Sequence, residues 1–305
     1  MKTPTIVTVG TVALDTILTS RGSVSGALGG SATQFALSAA HFAPVGIVAA
    51  VGRDFPERHL AMLRRKGIGT EGILRRRDKP SFRWKGRYSP DLSTRETLDV
   101  QLGIFDGYTP EVPKAWRKAP VLFLANGDPL HQLSVLDQMA RPRLIVSDSM
   151  NLWIEHKRSE VELVFRRSHG VTLNDEEARQ FTGEHNLLKA AKRIRKLGPR
   201  FVIVKKGEHG CLVNDDAGTT FVPAYPLEDV RDPTGAGDSF AGGVMGTLAR
   251  AGNAKPVTLR RGALHGAVWA AFRVEALGPK RLISATAGDF RARLSAMRKM
   301  LSIPV

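Results

Sequence analysis

The segment Arg231-Asp232-Pro233-Thr234-Gly235-Ala236-Gly237-Asp238-Ser239-Phe240-Ala241-Gly242-Gly243 combines a glycine-rich turn, a carboxylate and the start of an apolar helix. Gly235 and Gly237 lack a Cβ, so the backbone there can take positive φ and turn several N–H groups toward an anion. The apolar run from Phe240 to Ala249 continues as a helix whose positive end faces the same anion. Asp238 sits in the first turn, where the dipole and nearby N–H groups keep a carboxylate ionised and able to take a proton from a hydroxyl. The chemistry suggested is phosphate binding by a loop that carries its own base. A GxGxxG fingerprint starting at Gly235 would need glycine where Phe240 stands, and no GxxxxGK[ST] run occurs in the chain. A helix N-cap beside a tight turn would use the same residues.

The elements that must hold this loop repeat one scheme. Thr5 to Gly10 reads as a buried strand that delivers Asp15 just beyond its end, where open α/β sheets place ligand groups. Gly29-Gly30-Ser31-Ala32-Thr33-Gln34 then opens a helix reaching to about Phe42. Val45–Val51, Val121–Ala125, Leu144–Ser147, Gly170–Leu173 and Phe201–Lys205 are short apolar runs separated by helical patterns, which predicts βαβ units, right-handed crossovers and a mostly parallel sheet. Asn174-Asp175-Glu176-Glu177 opens a helix directly after a strand, and asparagine with glutamate three residues on also makes a good helix N-terminus by itself. Val202 to Cys211, with Lys206, Gly207 and Gly210, reads as a strand and a glycine turn.

These motifs together resemble the ribokinase-like carbohydrate kinases, the phosphofructokinase B (PfkB) family. DPTGAGDSFAGG is similar to the family's D-T-x-G-A-G-D signature, which implies Asp238 as general base and the N–H groups of Gly235, Ala236 and Gly237 as the anion hole for the transferred γ-phosphoryl group. Gly29-Gly30 and Gln34 resemble its sugar-binding G-G-x-x-x-N-x-A motif, with glutamine in place of asparagine, and Asp15 joins them as a substrate-binding acid. Asn174 and Glu177 match its N-x-x-E motif, which implies contact with magnesium through water; Lys206, Gly207, Gly210 and Thr234 join the nucleotide side, and the helix Gly262–Val274 with Gly278 covers adenine. Asp232 and Thr234, with the loop from Arg273 to Gly278, occupy the places of the family's monovalent-cation site, implying potassium.

The fold so implied is a three-layer α/β/α domain over residues 1–305 with a mostly parallel central sheet and a small, reduced β lid. The stretch between Asp15 and Gly29 is rich in Ser and Gly and reads as a missing half of that lid, while an alternating segment at about 80–101 reads as the surviving flap. Arg87 and Arg95 are its candidate clamps, and Phe82, Trp84 or Phe105 could offer a slot for a nucleobase. A reduced lid leaves monomer and homodimer both open. The function implied is transfer of a phosphoryl group from Mg-ATP to a hydroxyl of a sugar or sugar-like substrate; a nucleoside kinase, or a non-catalytic ligand-binding or regulatory protein with a basic nucleic-acid-binding surface, are the alternatives.

Composition sets outer limits. A single cysteine excludes an intramolecular disulfide, no apolar run is long enough to span a membrane, and the first strand follows Met1-Lys2-Thr3-Pro4 directly, which together point to the cytoplasm. The formal net charge of +16 raises the question of nucleic acid. Its clusters, such as Arg64-Arg65-Lys66 and Arg75-Arg76-Arg77, are dispersed and accompany no nucleic-acid motif, which favours a basic solvated exterior that attracts anionic nucleotides.

Overall fold

The computed structural model describes residues 3–301. The strands are β1 (Ile6–Val9), β2 (Ala13–Thr19), β3 (Gly22–Gly29), β4 (Val45–Val51), β5 (Gly69–Arg75), β6 (Arg83–Tyr88), β7 (Arg95–Gln101), β8 (Val121–Leu124), β9 (Leu144–Asp148), β10 (Gly170–Asn174), β11 (Phe201–Lys205), β12 (Cys211–Asp215) and β13 (Gly218–Val222). The helices are α1 (Ser31–Ala39), α2 (Glu57–Arg65), α3 (Pro129–Gln138), α4 (Asn151–His156), α5 (Arg158–Arg166), α6 (Asp175–Thr182), α7 (Leu187–Arg195), α8 (Ala236–Ala251), α9 (Pro256–Val274), α10 (Lys280–Ser284) and α11 (Ala287–Leu301).

Nine strands form one sheet in the order β13-β12-β11-β10-β9-β8-β1-β4-β5. All neighbours are parallel except β11–β12 and β12–β13, which are antiparallel. All but the edge strands β5 and β13 are buried on both faces, and alternation along each divides the core in two. Ile6, Phe123 and Ile203 point to the side covered by α1, α2, α8, α9 and α11, where Phe35, Leu60, Phe240, Trp269 and Met297 pack. Val7, Leu122, Leu124, Val202 and Val204 point to the other side, under Val135, Val161, Phe165, Phe181 and Ile194 of α3, α5, α6 and α7. Helix, sheet and helix thus make the three expected layers. The helices α8 and α9 approach closely, because a Cβ on Gly243 would lie 2.7 Å from Gly266 Cα.

The predicted strands at Val45–Val51 and Phe201–Lys205 match β4 and β11 at both ends, and Gly67, with φ of 74°, ends α2 in the left-handed conformation expected of a C-terminal glycine. The lid differs from its expectation. A second sheet of four strands, in the order β3-β2-β6-β7, stands apart from the nine. The stretch after Asp15 is therefore not a lost half: β2 and β3 form an antiparallel hairpin with Ser20-Arg21 between them, and β2 pairs in parallel with β6. Small residues hid this strand. In Gly22-Ser-Val-Ser-Gly-Ala-Leu-Gly29 the pattern lacks bulky alternation, and only pairing with β2 supplies the order. The flap expected at about 80–101 is present as the hairpin β6–β7.

Candidate active site

Asp238 lies in the first turn of α8, whose N-cap is Gly235 with φ of 74°. Among the described residues the N–H groups of Gly235, Gly237 and Asp238 find no acceptor, whereas that of Ala236 donates to the Pro233 carbonyl at 3.2 Å. Three free donors at a helix N-terminus make an anion pocket beside a carboxylate. Burial, reinforced by the nearby Asp148 carboxylate, pushes the Asp238 pKa up to about 6, against the pull of Lys205, Arg273 and Arg95. The helix dipole therefore does not dominate, but the group is still ionised at neutral pH and close to the value that suits a general base.

Gln34 faces this loop from α1. A Cβ on Gly235 would come within 2.7 Å of Gln34 Cγ, so the glutamine stem rests on the Gly235 turn. Its Oε1 is buried and has no hydrogen-bond partner. Such an orphan in a native site marks a place for a ligand donor. Asp15 stands in β2, inside the lid sheet and not in a loop beyond the first strand. Its carboxylate occupies the space where a Gly29 Cβ would be, with Oδ2 only 1.8 Å from that position, and a Cβ on Gly30 would meet the Thr11 carbonyl at 2.3 Å. Both glycines are required by close approach. Burial lifts the Asp15 pKa to about 7, opposed by Arg273 and the Gly30 N–H and assisted by Asp232 and Asp238. The charge of Asp238 is thus felt at Asp15, across the space between the lid sheet and α8.

Asn174 and Glu177 form a complete capping box: Asn174 Oδ1 accepts from the Glu177 N–H at 2.7 Å, and Glu177 Oε2 accepts from the Asn174 N–H at 2.7 Å. The second Glu177 oxygen is left out of the box. Burial raises the Glu177 pKa to about 7, with Lys205 lowering and Asp148 raising it. Among the described residues no group of three His, Cys, Asp or Glu side chains converges to hold a metal. Lys206, Gly207 and Gly210 form the tight turn from β11 to β12, closed by Lys206 N–H to the Gly210 carbonyl at 2.7 Å. A Cβ on Gly210 would collide with the Val222 carbonyl at 2.1 Å.

Sequence reasoning missed two buried charges. Lys205 Nζ donates to Asp148 Oδ2 at 2.8 Å, with side-chain exposures of 15% and 3%. Burial disfavours the ammonium, but Asp148, Glu177 and Asp238 outweigh it and hold Lys205 charged, its pKa raised. A Cβ on Gly237 would lie 3.2 Å from Lys205 Nζ, so this cation reaches the anion pocket from below. The available signal was a charged residue ending each of two otherwise apolar strands, Leu-Ile-Val-Ser-Asp148 and Phe-Val-Ile-Val-Lys205, at the carboxyl edge of a parallel sheet.

The lid touches the glycine-rich loop before α8 through Tyr88, whose hydroxyl accepts from Thr234 Oγ1 at 3.0 Å. Arg95 is paired directly opposite Tyr88 and so shares its face, with its charge felt at Asp238 and Glu177 and its guanidinium 5.6 Å from the Trp84 ring. Arg87 belongs to the opposite, exposed face and lies 3.6 Å from Glu96, so it is no clamp. Phe82 and Phe105 meet edge to face, and Phe105 continues to Tyr108 and His131. At Asp232, beside Thr234 and the loop to Gly278 where potassium was expected, the carboxylate is fully buried against the Arg273 guanidinium, with Oδ2 accepting from Nη2 at 2.8 Å.

The surface basic runs are partly neutralised in place: Arg64 and Arg75 share Glu57, and Arg76 pairs with Asp78. Among the described residues no helix is long and apolar enough to cross a membrane.

Comparison with known proteins gives a consistent picture. The family model for pfkB family carbohydrate kinases matches residues 124–279. The chain is 30% identical over 250 residues to the cytidine kinase of Thermococcus kodakarensis, covering 80% of this chain and 88% of that protein. It is 32% identical over 130 residues to the 2-dehydro-3-deoxygluconokinase of Escherichia coli K12, covering 41% of this chain and 40% of that protein. The crystal structure of the Methanocaldococcus jannaschii nucleoside kinase, an archaeal member of the ribokinase family, superposes with a TM-score of 0.77 at 19% identity, covering 97% of this chain and all of that one.

Proposed function

The chain belongs to the pfkB family of carbohydrate kinases, and from that premise we propose that it transfers the γ-phosphoryl group of ATP to a hydroxyl on the sugar of a nucleoside. The observation that carries the reading is the set of unpartnered N–H groups at Gly235, Gly237 and Asp238 beside a carboxylate whose pKa is tuned to about 6. Asp238 accepts the proton of the attacking hydroxyl, and the loop donors take up the negative charge of the group in flight. Lys205, held charged by Asp148, adds a fixed positive charge on the same side. Asp15 and the orphaned Gln34 oxygen accept from substrate hydroxyls and aim one of them at Asp238. Glu177, its carboxylate steadied by the Asn174 N–H, would hold magnesium brought in with ATP through water, and the ion would supply neutralisation of phosphate charge. The lid strands close over the sugar and exclude water, with Tyr88 fastening them to Thr234.

The choice of a nucleoside rests on the match across most of the chain to a cytidine kinase, set against a match of under half the chain to the sugar-acid kinase. A sugar acid is the second reading, favoured by Arg95, a cation on the cleft face of the lid. The test is ATP consumption by the purified protein with magnesium across nucleosides, pentoses, hexoses and sugar acids, with Asp238→Asn in parallel. Turnover stimulated by a nucleoside and lost in the variant supports the proposal. Stimulation by a sugar acid alone moves the assignment to the second reading, and binding without turnover across the panel would return the protein to a non-catalytic role.

A further inference from the structure

The last turn of α9 puts Arg273 in an environment arginine rarely occupies. Its side chain is 1% exposed, and the Asp232 side chain it meets is fully buried. Nη2 donates to Asp232 Oδ2 at 2.8 Å, and Nη1 donates to the Gly278 carbonyl at 3.0 Å and, more weakly at 3.4 Å, to the carbonyls of Ala276 and Asp232. One carboxylate and three main-chain carbonyls therefore converge on a single buried positive charge. Carbonyl oxygens with an acid are also the donors that replace the hydration shell of an alkali cation. The same acid organises the loop around it: Asp232 Oδ1 accepts from the Thr234 N–H at 2.9 Å, Oδ2 accepts from the Gly278 N–H at 2.9 Å, and the N–H groups of Arg231 and Asp232 reach back to the Val274 carbonyl. The positive charge thus sits where the catalytic loop is stitched to the end of α9.

We propose that Arg273 is a tethered cation that takes the place a monovalent metal ion would otherwise fill between the catalytic loop and the loop after α9, so that the anion pocket is set without potassium. A second cation among the same oxygens would face the guanidinium at a few ångströms in a medium of low polarity, where like charges repel strongly. The planar fork of arginine spans several oxygens at once, which the point charge of lysine would not do. Because the guanidinium is covalently attached, its charge stays with the loop at every ionic composition. Arg273 lies among the charges that hold down the pKa values of both Asp15 and Asp238, so the loop cation also contributes to the charge balance of the cleft. It touches no reacting atom and acts through Asp232 and Thr234, which makes it a positioning residue.

The proposal rests on the kinase reading only for its kinetic arm. The full chain is placed in tetramethylammonium chloride, sodium chloride or potassium chloride at one ionic strength, and melting temperature, kcat and KM for ATP are measured for the wild type and Arg273→Ala. The wild type is expected to melt at the same temperature in all three salts and to turn over within about twofold. Arg273→Ala, with its oxygen cage emptied, is expected to melt lower and turn over more slowly in tetramethylammonium, and to recover part of both in potassium, since an ion that binds only the folded state stabilises it. A potassium-specific rise in the melting temperature of the wild type overturns the proposal, whether or not any substrate is phosphorylated. A folded Arg273→Ala that gains nothing from potassium also overturns it, because the guanidinium would then only fill space. Should Arg273→Ala fail to fold, the wild-type arm decides alone, and absence of turnover in every salt would count against the kinase reading while leaving the melting data intact.

Discussion

Replacing Asp238 by asparagine should stabilise the folded protein while removing its activity, and the size and pH dependence of the gain follow from the site. The carboxylate titrates near 3.8 in an unfolded chain and at about 6 in the fold, where burial and the Asp148 charge oppose ionisation. A raised carboxylate pKa means that the folded state binds more protons than the unfolded state between these values, so this group's contribution to stability falls as pH rises through that window. Near the lower end the folded state is protonated and the unfolded state about half so, and the penalty has shrunk to about 0.5 kcal/mol. Above pH 7 it is complete, and two pKa units correspond to ~3 kcal/mol, which partial solvent contact at the cleft reduces to ~2 kcal/mol. Asparagine has nearly the same shape and never ionises, so the other titrating groups cancel to first order in the difference between the two proteins. The assay is urea unfolding of wild type and Asp238→Asn, without nucleotide, at pH 7.5 and pH 4, with the slope against urea checked for constancy. The variant should be more stable by ~2 kcal/mol at pH 7.5 and nearly equal at pH 4, while its turnover drops by about two to four orders of magnitude. A gap that is independent of pH, or a variant that is less stable at pH 7.5, refutes the electrostatic account of this loop.

Four further outcomes follow. The acid limb of kcat/KM should lie between pH 6 and 7, because Asp238 must be ionised to accept a proton and Asp15, at about 7, shares its field; a rate that stays flat down to pH 5 would exclude both groups from the reaction. Lys205→Met strands Asp148 in the core and should cost ~3–5 kcal/mol in unfolding free energy, and it should also move that acid limb to higher pH, since Lys205 lowers the pKa of Asp238. Gly29→Ala puts a methyl group on the Asp15 carboxylate and should raise KM for the hydroxyl substrate far more than KM for ATP, an expectation that equal effects on both would contradict. Tyr88→Phe removes the acceptor that Thr234 uses on the lid, so it should leave the fold within about 1 kcal/mol and lower kcat through looser closure; unchanged kinetics would show that the lid is fastened elsewhere.

Much of this protein was legible because its signals are local. Apolar runs of strand length, separated by helical patterns, are enough to specify buried parallel strands, since a strand covered on both faces needs no partner's identity to show in its composition. The turn at Gly235 and the opening of α6 at Asn174 were also readable, because backbone conformation at positive φ and a reciprocal cap are written in adjacent residues. What the sequence could not disclose depends on chain segments far apart. The β2–β3 hairpin is built from small residues and acquires order only against β6, so its strand character is a property of the pairing. Lys205 and Asp148 are 57 residues apart, and each alone reads as a solvated charge. Arg273, read as part of a loop that implied a potassium site, is instead ion-paired with Asp232, 41 residues away in the chain. The sequence by itself determined the strands and helices of the parallel core and where the glycine-rich loop lies. The tertiary structure decided which charges are buried together, because desolvation and pairing depend on every element that closes over a group and on none of them singly.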